Sequence, residues 1–308
     1  MSRKFIPIKM KIFILILIIL SIVFYASGCI LLVQSNYNLS DYSDEFNFNE
    51  DSFKFNFNDT FLNFTNPYSS YDYDINNTIS EIDFNMSSQN LKFITSKNNT
   101  LNIKINSFSS SSSKLNLITN NNRMTFSSTA DISDDAEIIV NMPSDCLNKI
   151  TLKITTSSGD MDIKGLSANA VNASSASGDV YFDKCNVNYL SCSSSSGDIY
   201  LNSINSYMET NLSSLSGSIS GDGNFSVLTS KTSSGDMDIS INNKLDNTFL
   251  ASSSGDISLI IPSECDYNTN FSTLSGELTS SKNTLKNGDM SKTINVNTSS
   301  GNLCIDLI

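Results

Sequence analysis

The sequence predicts an all-β fold, a right-handed parallel β-solenoid of ~20-residue coils behind an N-terminal membrane anchor, and three observations predict it. A Ser-Gly step recurs eight times between Ser158 and Gly301. The residues flanking each step alternate between apolar and polar with period two. The chain opens with basic residues and then a long apolar run. A fixed repeat of this size marks one supersecondary unit stacked on copies of itself.

At the N-terminus, Arg3, Lys4, Lys9 and Lys11 precede an apolar run from Ile12 to Val33, the order of a secretory signal. Two endings stay open for residues 1–33. Ala26-Ser27-Gly28-Cys29 resembles a lipoprotein processing box in which Cys29 is lipidated. The continuing Ile30-Leu31-Leu32-Val33 instead favours an uncleaved helix of the ~20 residues that span a bilayer. Either way the positive flank puts the body of the chain on the extracytoplasmic face of a membrane. Residues 34–79, rich in Asn, Asp, Phe and Tyr, read as a stalk. The alternating Phe53, Phe55 and Phe57 offer a cap for the first coil. Residues 80–308 read as the solenoid.

Alignment on Gly159, Gly178, Gly197, Gly217, Gly235, Gly255, Gly276 and Gly301 gives steps of 19, 19, 20, 18, 20, 21 and 25 residues. Two and four residues after glycine come pairs such as Met161 and Ile163, Val180 and Phe182, Met237 and Ile239. Both members face one side of a short strand. Seven and five residues before glycine come Leu152 and Ile154, Val171 and Ala173, Leu190 and Cys192, Ile294 and Val296. These imply a second strand, so two strands per coil. Val187, Phe225 and Leu245 fill one end of the narrow core. The eight glycines are expected to be structural turns with positive φ. The Ser/Thr column three residues before them, from Thr156 to Thr298, is expected to point inward as a hydroxyl ladder.

The repeats TSSGDMDI, SASGDVYF, SSSGDIYL and SSSGDISL, the segment IIVNMP from Ile138 to Pro143, and the opening stretch Ile82 to Ile105 together resemble the putative adhesin family of cell-surface β-strand-repeat domains. The resemblance covers about Ser80 to the end. It implies a parallel β-solenoid on a cell surface, and fold alone does not fix what that surface binds.

Net charge is −12, with no His and no Trp, so no basic patch for nucleic acid exists and no nucleic-acid partner is expected. Six cysteines lack CxxC spacing and any His to complete a zinc site. Cys192, in the column of Ile154 and Ala173, reads as a core residue. Asp160, Asp179, Asp198, Asp236 and Asp256 follow their glycines. The sharper reading of this column is a calcium ladder; the stronger one is carboxylates bonded to nearby backbone amides. Acidic residues follow the repeat instead of clustering once, and Arg3 and Arg123 are the only arginines. No enzyme activity and no cofactor are therefore expected. Two functions remain: a noncatalytic adhesin or surface-binding module for an unknown ligand, and an accessory structural or sensory envelope component acting through a membrane partner. The strand after Gly301 is expected to leave an exposed last coil that either self-associates weakly or meets a partner at that end.

Overall fold

The computed structural model describes residues 68–75, 78–97, 100–106, 114–130, 132–144, 149–280 and 286–308, all within one compact unit, Phe64–Ile308. The anchor with Cys29, the Phe53–Phe57 alternation and Cys146 lie outside the described residues. Among the described residues no helix is long and apolar enough to cross a membrane.

The opening strands are β1 (Tyr68–Tyr73), β2 (Glu81–Asn85), β3 (Asn90–Ser96), β4 (Leu101–Asn106), β5 (Asn116–Asn120), β6 (Arg123–Ser127) and β7 (Glu137–Pro143). The repeat region continues with β8 (Thr151–Thr156), β9 (Met161–Lys164), β10 (Ser167–Ser175), β11 (Val180–Asp183), β12 (Asn186–Ser194) and β13 (Ile199–Ser214). Then follow β14 (Ile219–Phe225), β15 (Leu228–Thr232), β16 (Met237–Leu245), β17 (Thr248–Ser252) and β18 (Ile257–Ile261). The last are β19 (Tyr267–Ser272), β20 (Leu278–Ser280), β21 (Lys286–Asn287), β22 (Thr293–Thr298) and β23 (Leu303–Leu307). β1 falls inside the segment read as stalk, where it pairs antiparallel with β4.

Two parallel faces enclose the core. Strands that precede each glycine stack as β6, β2, β8, β10, β12, the second half of β13, β15, β17, β22 and β19. Strands that follow it stack as β7, β3, β9, β11, the first half of β13, β14, β16, β18, β23 and β20. The apolar columns face inward: Met161, Ile163, Val180, Ile199, Met237, Ile239, Ile257 and Leu259 are buried, as are Leu152, Ile154, Val171 and Leu190. Each such side chain contributes about 1.5–3 kcal/mol by leaving water, so the rungs cohere mainly through this shared stripe. Cys192 lies in register with Ala173 and is buried without a disulfide.

The middle coils have a third side that the two-strand expectation omits. Ser167 and Ala168 pair with Asn186 and Val187, which pair with Asn205 and Ser206, then with Asn224 and Phe225. An amide ladder runs along it: Asn205 Nδ2 donates to Asn186 Oδ1 at 2.9 Å and Asn224 Nδ2 to Asn205 Oδ1 at 2.8 Å. The corner that begins this side is where the chain turns left-handed, at Gly165 (φ 63°), Lys184 (53°) and Ser203 (54°).

The eight repeat glycines therefore serve a different purpose from the one expected, since none of them has a left-handed φ. A Cβ on Gly178 would strike the carbonyl of Gly159, one on Gly197 that of Gly178, and one on Gly235 that of Gly217. Backbone passes so close to backbone at this column that only hydrogen fits. The hydroxyl ladder beside it accounts for the closeness. Gly178 N–H donates to Ser175 Oγ at 2.8 Å and Gly235 N–H to Thr232 Oγ1 at 3.1 Å, while Thr232 Oγ1 donates to Gly217 O at 3.2 Å. Ser214, Thr232 and Ser252 each tie their own turn to the preceding one in this way, whereas Thr298 Oγ1 donates to Gly301 O within its own turn.

Spatial order departs from sequence order at both ends. β2 and β3 sit between the β6–β7 rung and the β8–β9 rung. At the other end, β22 and β23 lie between the β17–β18 rung and the β19–β20 rung. The glycine column records the same exchange, because a Cβ on Gly301 meets Gly255 and one on Gly276 meets Gly301. The exposed last coil expected from the sequence is thus corrected: β23 is flanked by β18 on one side and β20 on the other. Antiparallel strands lie over the outer rungs, β4 against β7, β5 against β6 and β21 against β19. Such covers blunt the edges of a sheet that would otherwise recruit another chain.

Candidate functional site

The outer surface of the face that follows the glycines carries three polar rows, and an open cavity lies on it. This trench of about 750 Å³ crosses six rungs and is lined by Asn90, Lys92, Asp160, Asp162, Lys164, Tyr181, Asp183, Tyr200, Asn202, Ser220 and Gly221, with Glu137 at one end.

The row next to the glycines is the aspartate column. Its expected amide bonding exists, though to the neighbouring rung and not to its own turn. Asp160 Oδ1 accepts the Asp179 N–H at 2.9 Å, Asp179 Oδ1 that of Asp198 at 2.8 Å, and Asp198 Oδ1 that of Ser218 at 2.7 Å. Asp236 Oδ1 accepts from Asp256 at 2.8 Å, and Asp256 Oδ1 from Asn302 at 2.7 Å. All five calcium candidates thus spend one oxygen on backbone. Among the described residues no group of three or more carboxylate, Cys or His side chains is placed to hold a metal.

The middle row holds the feature that sequence reading missed. Tyr181 and Tyr200 pair in register on β11 and β13, and their rings stack with centroids 4.6 Å apart and planes 7° apart. Carboxylates left over from the aspartate column fix both rings. Tyr181 Oη donates to Asp179 Oδ2 at 3.2 Å and Tyr200 Oη to Asp198 Oδ2 at 2.9 Å. The acceptor on Asp198 holds the proton on Tyr200 and pushes its pKa up to about 12, with burial adding to the effect. Burial, and next Asp179, raises Tyr181 in the same direction. The signal lay in the third column after glycine, which reads Asp162, Tyr181, Tyr200, Ser220, Asp238 and Ser258. Ser220 follows Tyr200 in register and Gly221 stands beside it, so the tyrosine stack ends in a step down to small residues.

The outer row supplies further polar groups. Lys164 Nζ donates to Asp162 Oδ2 at 2.7 Å, and Asn202 Nδ2 to Asp183 Oδ1 at 2.6 Å. Asp162 Oδ1 has no hydrogen-bond partner. A second concentration of charge lies on the other face near β2. There Glu81 takes Arg123 at 2.7 Å and also Lys153, and the Lys153 contact, ahead of Arg123, holds the Glu81 carboxyl below its usual range. This cluster is internally paired across three rungs and reads as a strut.

No curated protein matches the chain. Solved structures do. A putative adhesin from Parabacteroides distasonis is similar at 12% identity and TM-score 0.46, covering 78% of this chain and 97% of its own. One from Bacteroides fragilis is similar at 15% identity and TM-score 0.45, with the same coverages. One from Parabacteroides merdae has 11% identity and TM-score 0.41 over 78% of this chain and 96% of its own. The match that decides kinship is to a family model spanning residues 79–306, the whole stack of rungs described above: the chain belongs to the Toastrack DUF4097 family.

Proposed function

We propose that this chain is a noncatalytic cell-surface binding module, an adhesin in the broad sense, held to a membrane by residues 1–33 with its rungs on the extracytoplasmic side. The coils are taken to wind right-handed, the sense in which a right-twisted strand returns to a parallel neighbour. The observation that carries the reading is the open trench on a rigid sheet, lined by locked rings and acceptor groups. Binding sites are commonly concave surfaces with a few fixed polar groups and aromatic walls. Asp160, Asp162 and Asp183 in the trench are tied to backbone, Lys and Asn partners, an arrangement suited to holding a ligand and unsuited to shuttling protons. The basic and then apolar N-terminus supports export. The test is retention on a surface. Cells producing the full chain, laid on epithelial or microbial cell layers, should be retained more than cells without it, and protease added to the intact cells should abolish the difference. Equal retention of the two populations overturns the proposal.

A further inference from the structure

The ring stack stops at Tyr200. Tyr181 covers one face of that ring, and on the other side its register neighbour is Ser220, whose own next neighbour is Asp238. Tyr200, Ser220 and Asp238 share one outward column, so Ser220 is the floor of a notch with the Tyr200 ring as one wall and the Asp238 carboxylate as the other. The trench reaches this notch at Ser220 and Gly221. The aromatic wall is fixed before anything binds, because Tyr200 Oη is held by Asp198 Oδ2 at 2.9 Å while Asp198 Oδ1 accepts the Ser218 amide at 2.7 Å. A wall already in place loses little conformational freedom when a ligand arrives.

The opposite wall is a carboxylate with no partner. Both oxygens of Asp198 are occupied, and so are both of Asp222, which accept the Ser203 amide and Asn242 Nδ2. Asp238 is exposed, and among the described residues no hydrogen bond or ion pair reaches it. Asp162, in the same column, is instead closed off by Lys164 at 2.7 Å. Residues 199–202, 218–223 and 236–240, which build the notch, contain no lysine or arginine. The trench lysines Lys92 and Lys164 stand on β3 and β9, beyond Tyr181 on the far side of the ring stack.

An aromatic face opposite a free carboxylate complements a flat cation. Rungs ~4.8 Å apart put the Tyr200 and Asp238 rungs about 10 Å apart. A guanidinium lying about 4 Å from the ring leaves about 6 Å to the Asp238 rung, a gap that the aspartate side chain leans across. The Tyr200 hydroxyl donates to a carboxylate, which adds negative potential to the ring and strengthens its hold on a cation. Arginine suits the notch better than lysine, because guanidinium is planar, weakly hydrated and pairs with a carboxylate through two N–H groups. An anion is repelled by Asp238, and a neutral ring leaves that charge unanswered. Two walls and a floor grip little of a free small molecule, whereas a polypeptide laid along the trench adds contacts on neighbouring rungs. Resting on the surface-binding reading above, we propose that the notch of Tyr200, Ser220 and Asp238 docks an arginine side chain of a partner protein, its guanidinium stacked on Tyr200 and paired with Asp238.

The test uses the full-length chain in mild detergent at low ionic strength and a glycine-spaced peptide carrying two arginines. Versions with lysine, citrulline or glutamate in place of arginine, and free arginine amide, serve as comparisons. The arginine peptide should bind most tightly. Asp238→Asn should weaken it about threefold to fivefold with an unchanged melting temperature, and Asp238→Glu should retain it. Ser220→Leu lays an aliphatic chain over the ring and should weaken it about as much. Glu209→Gln, which removes an exposed charge from the other face, should change it less than about twofold. Binding that both Asp238→Asn and Ser220→Leu leave intact overturns the site, as does a parent chain that binds no arginine peptide. Lysine or citrulline peptide held as tightly as the arginine one overturns the ligand class, and free arginine amide held as tightly overturns the protein partner. Retention of producing cells without arginine-peptide binding overturns the docking inference and leaves the surface-binding reading standing, whereas loss of both defeats the two together.

Discussion

One methyl group distinguishes two explanations of the glycine column. Gly235→Ala places a Cβ against the Gly217 carbonyl, in a turn whose φ an alanine tolerates. Gly165→Ala places a Cβ in open space at a φ of 63°. If torsion governed the column, the second change would be the worse. It should cost only the left-handed penalty of about 1–2 kcal/mol. For Gly235→Ala, rungs ~4.8 Å apart must separate by about 1 Å locally, an overpacking cost of roughly 1–3 kcal/mol. Separation also strains two hydrogen bonds, Gly235 N–H to Thr232 Oγ1 and Thr232 Oγ1 to Gly217 O, at about 1 kcal/mol each. The expected total is about 3–5 kcal/mol, two to three times the Gly165 figure. Urea denaturation of the two variants beside the parent, followed by far-ultraviolet circular dichroism, reads the difference. A Gly165→Ala loss equal to or larger than that of Gly235→Ala would refute the close-approach explanation.

Other outcomes follow from neighbouring features. Lys184 occupies the left-handed corner at φ 53°, so Lys184→Gly should raise stability by up to about 1 kcal/mol in the same denaturation experiment. Thr210 is fully buried and its Oγ1 has no partner; the near-isosteric Thr210→Val should stabilise by about 1 kcal/mol, seen as a higher midpoint. Ile239 lies in the core stripe, and Ile239→Asp should cost more than about 4 kcal/mol by burying an unpaired carboxylate, so the variant should melt far below the parent or fail to fold. The pKa of Tyr200 is raised from 10.0 to about 12. Its stabilisation is therefore complete below pH 10 and lost as pH climbs through 12, since the unfolded chain releases that proton first. Phenolate absorbance should show a late-titrating component, and Asp198→Asn, which keeps an acceptor for the Ser218 amide, should bring part of that titration earlier.

Much of this architecture was legible because period two within strands and a period near twenty between them leave little freedom. The inward columns follow directly, and even Cys192 was placed by its column. Rung order at the ends was not legible, because the stripe of Ile294 and Val296 fits against Thr248 and Leu250 as well as Thr269 and Phe271 do, and the pattern names no neighbour. The role of glycine was misassigned for a related reason. Both a left-handed turn and a close backbone approach demand glycine, and the turn itself falls six residues later, at Gly165, Lys184 and Ser203. The tyrosine pair went unnoticed because Tyr181 and Tyr200 are ordinary outward residues singly. Their meaning appears when the step to Ser220 is set beside them.

The rung exchange at the C-terminal side bears on how the protein emerges from a ribosome. From the coil after Gly159 up to Ile261 each coil can settle on the one made before it, a process that tracks synthesis. The Gly276 coil has no such seat. Its strands β19 and β20 touch β22 and β23 and skip β17 and β18, so they must wait until residues 293–307 have been made and slotted beneath them. Folding of this side is thus a late, single closing event, not gradual winding. The same geometry confines the growth of the repeat over evolution: a duplicated coil can enter among the rungs from Gly159 to Gly255, where sequence and stacking agree, while an extra copy beyond them meets two interlocked coils that only accept one another.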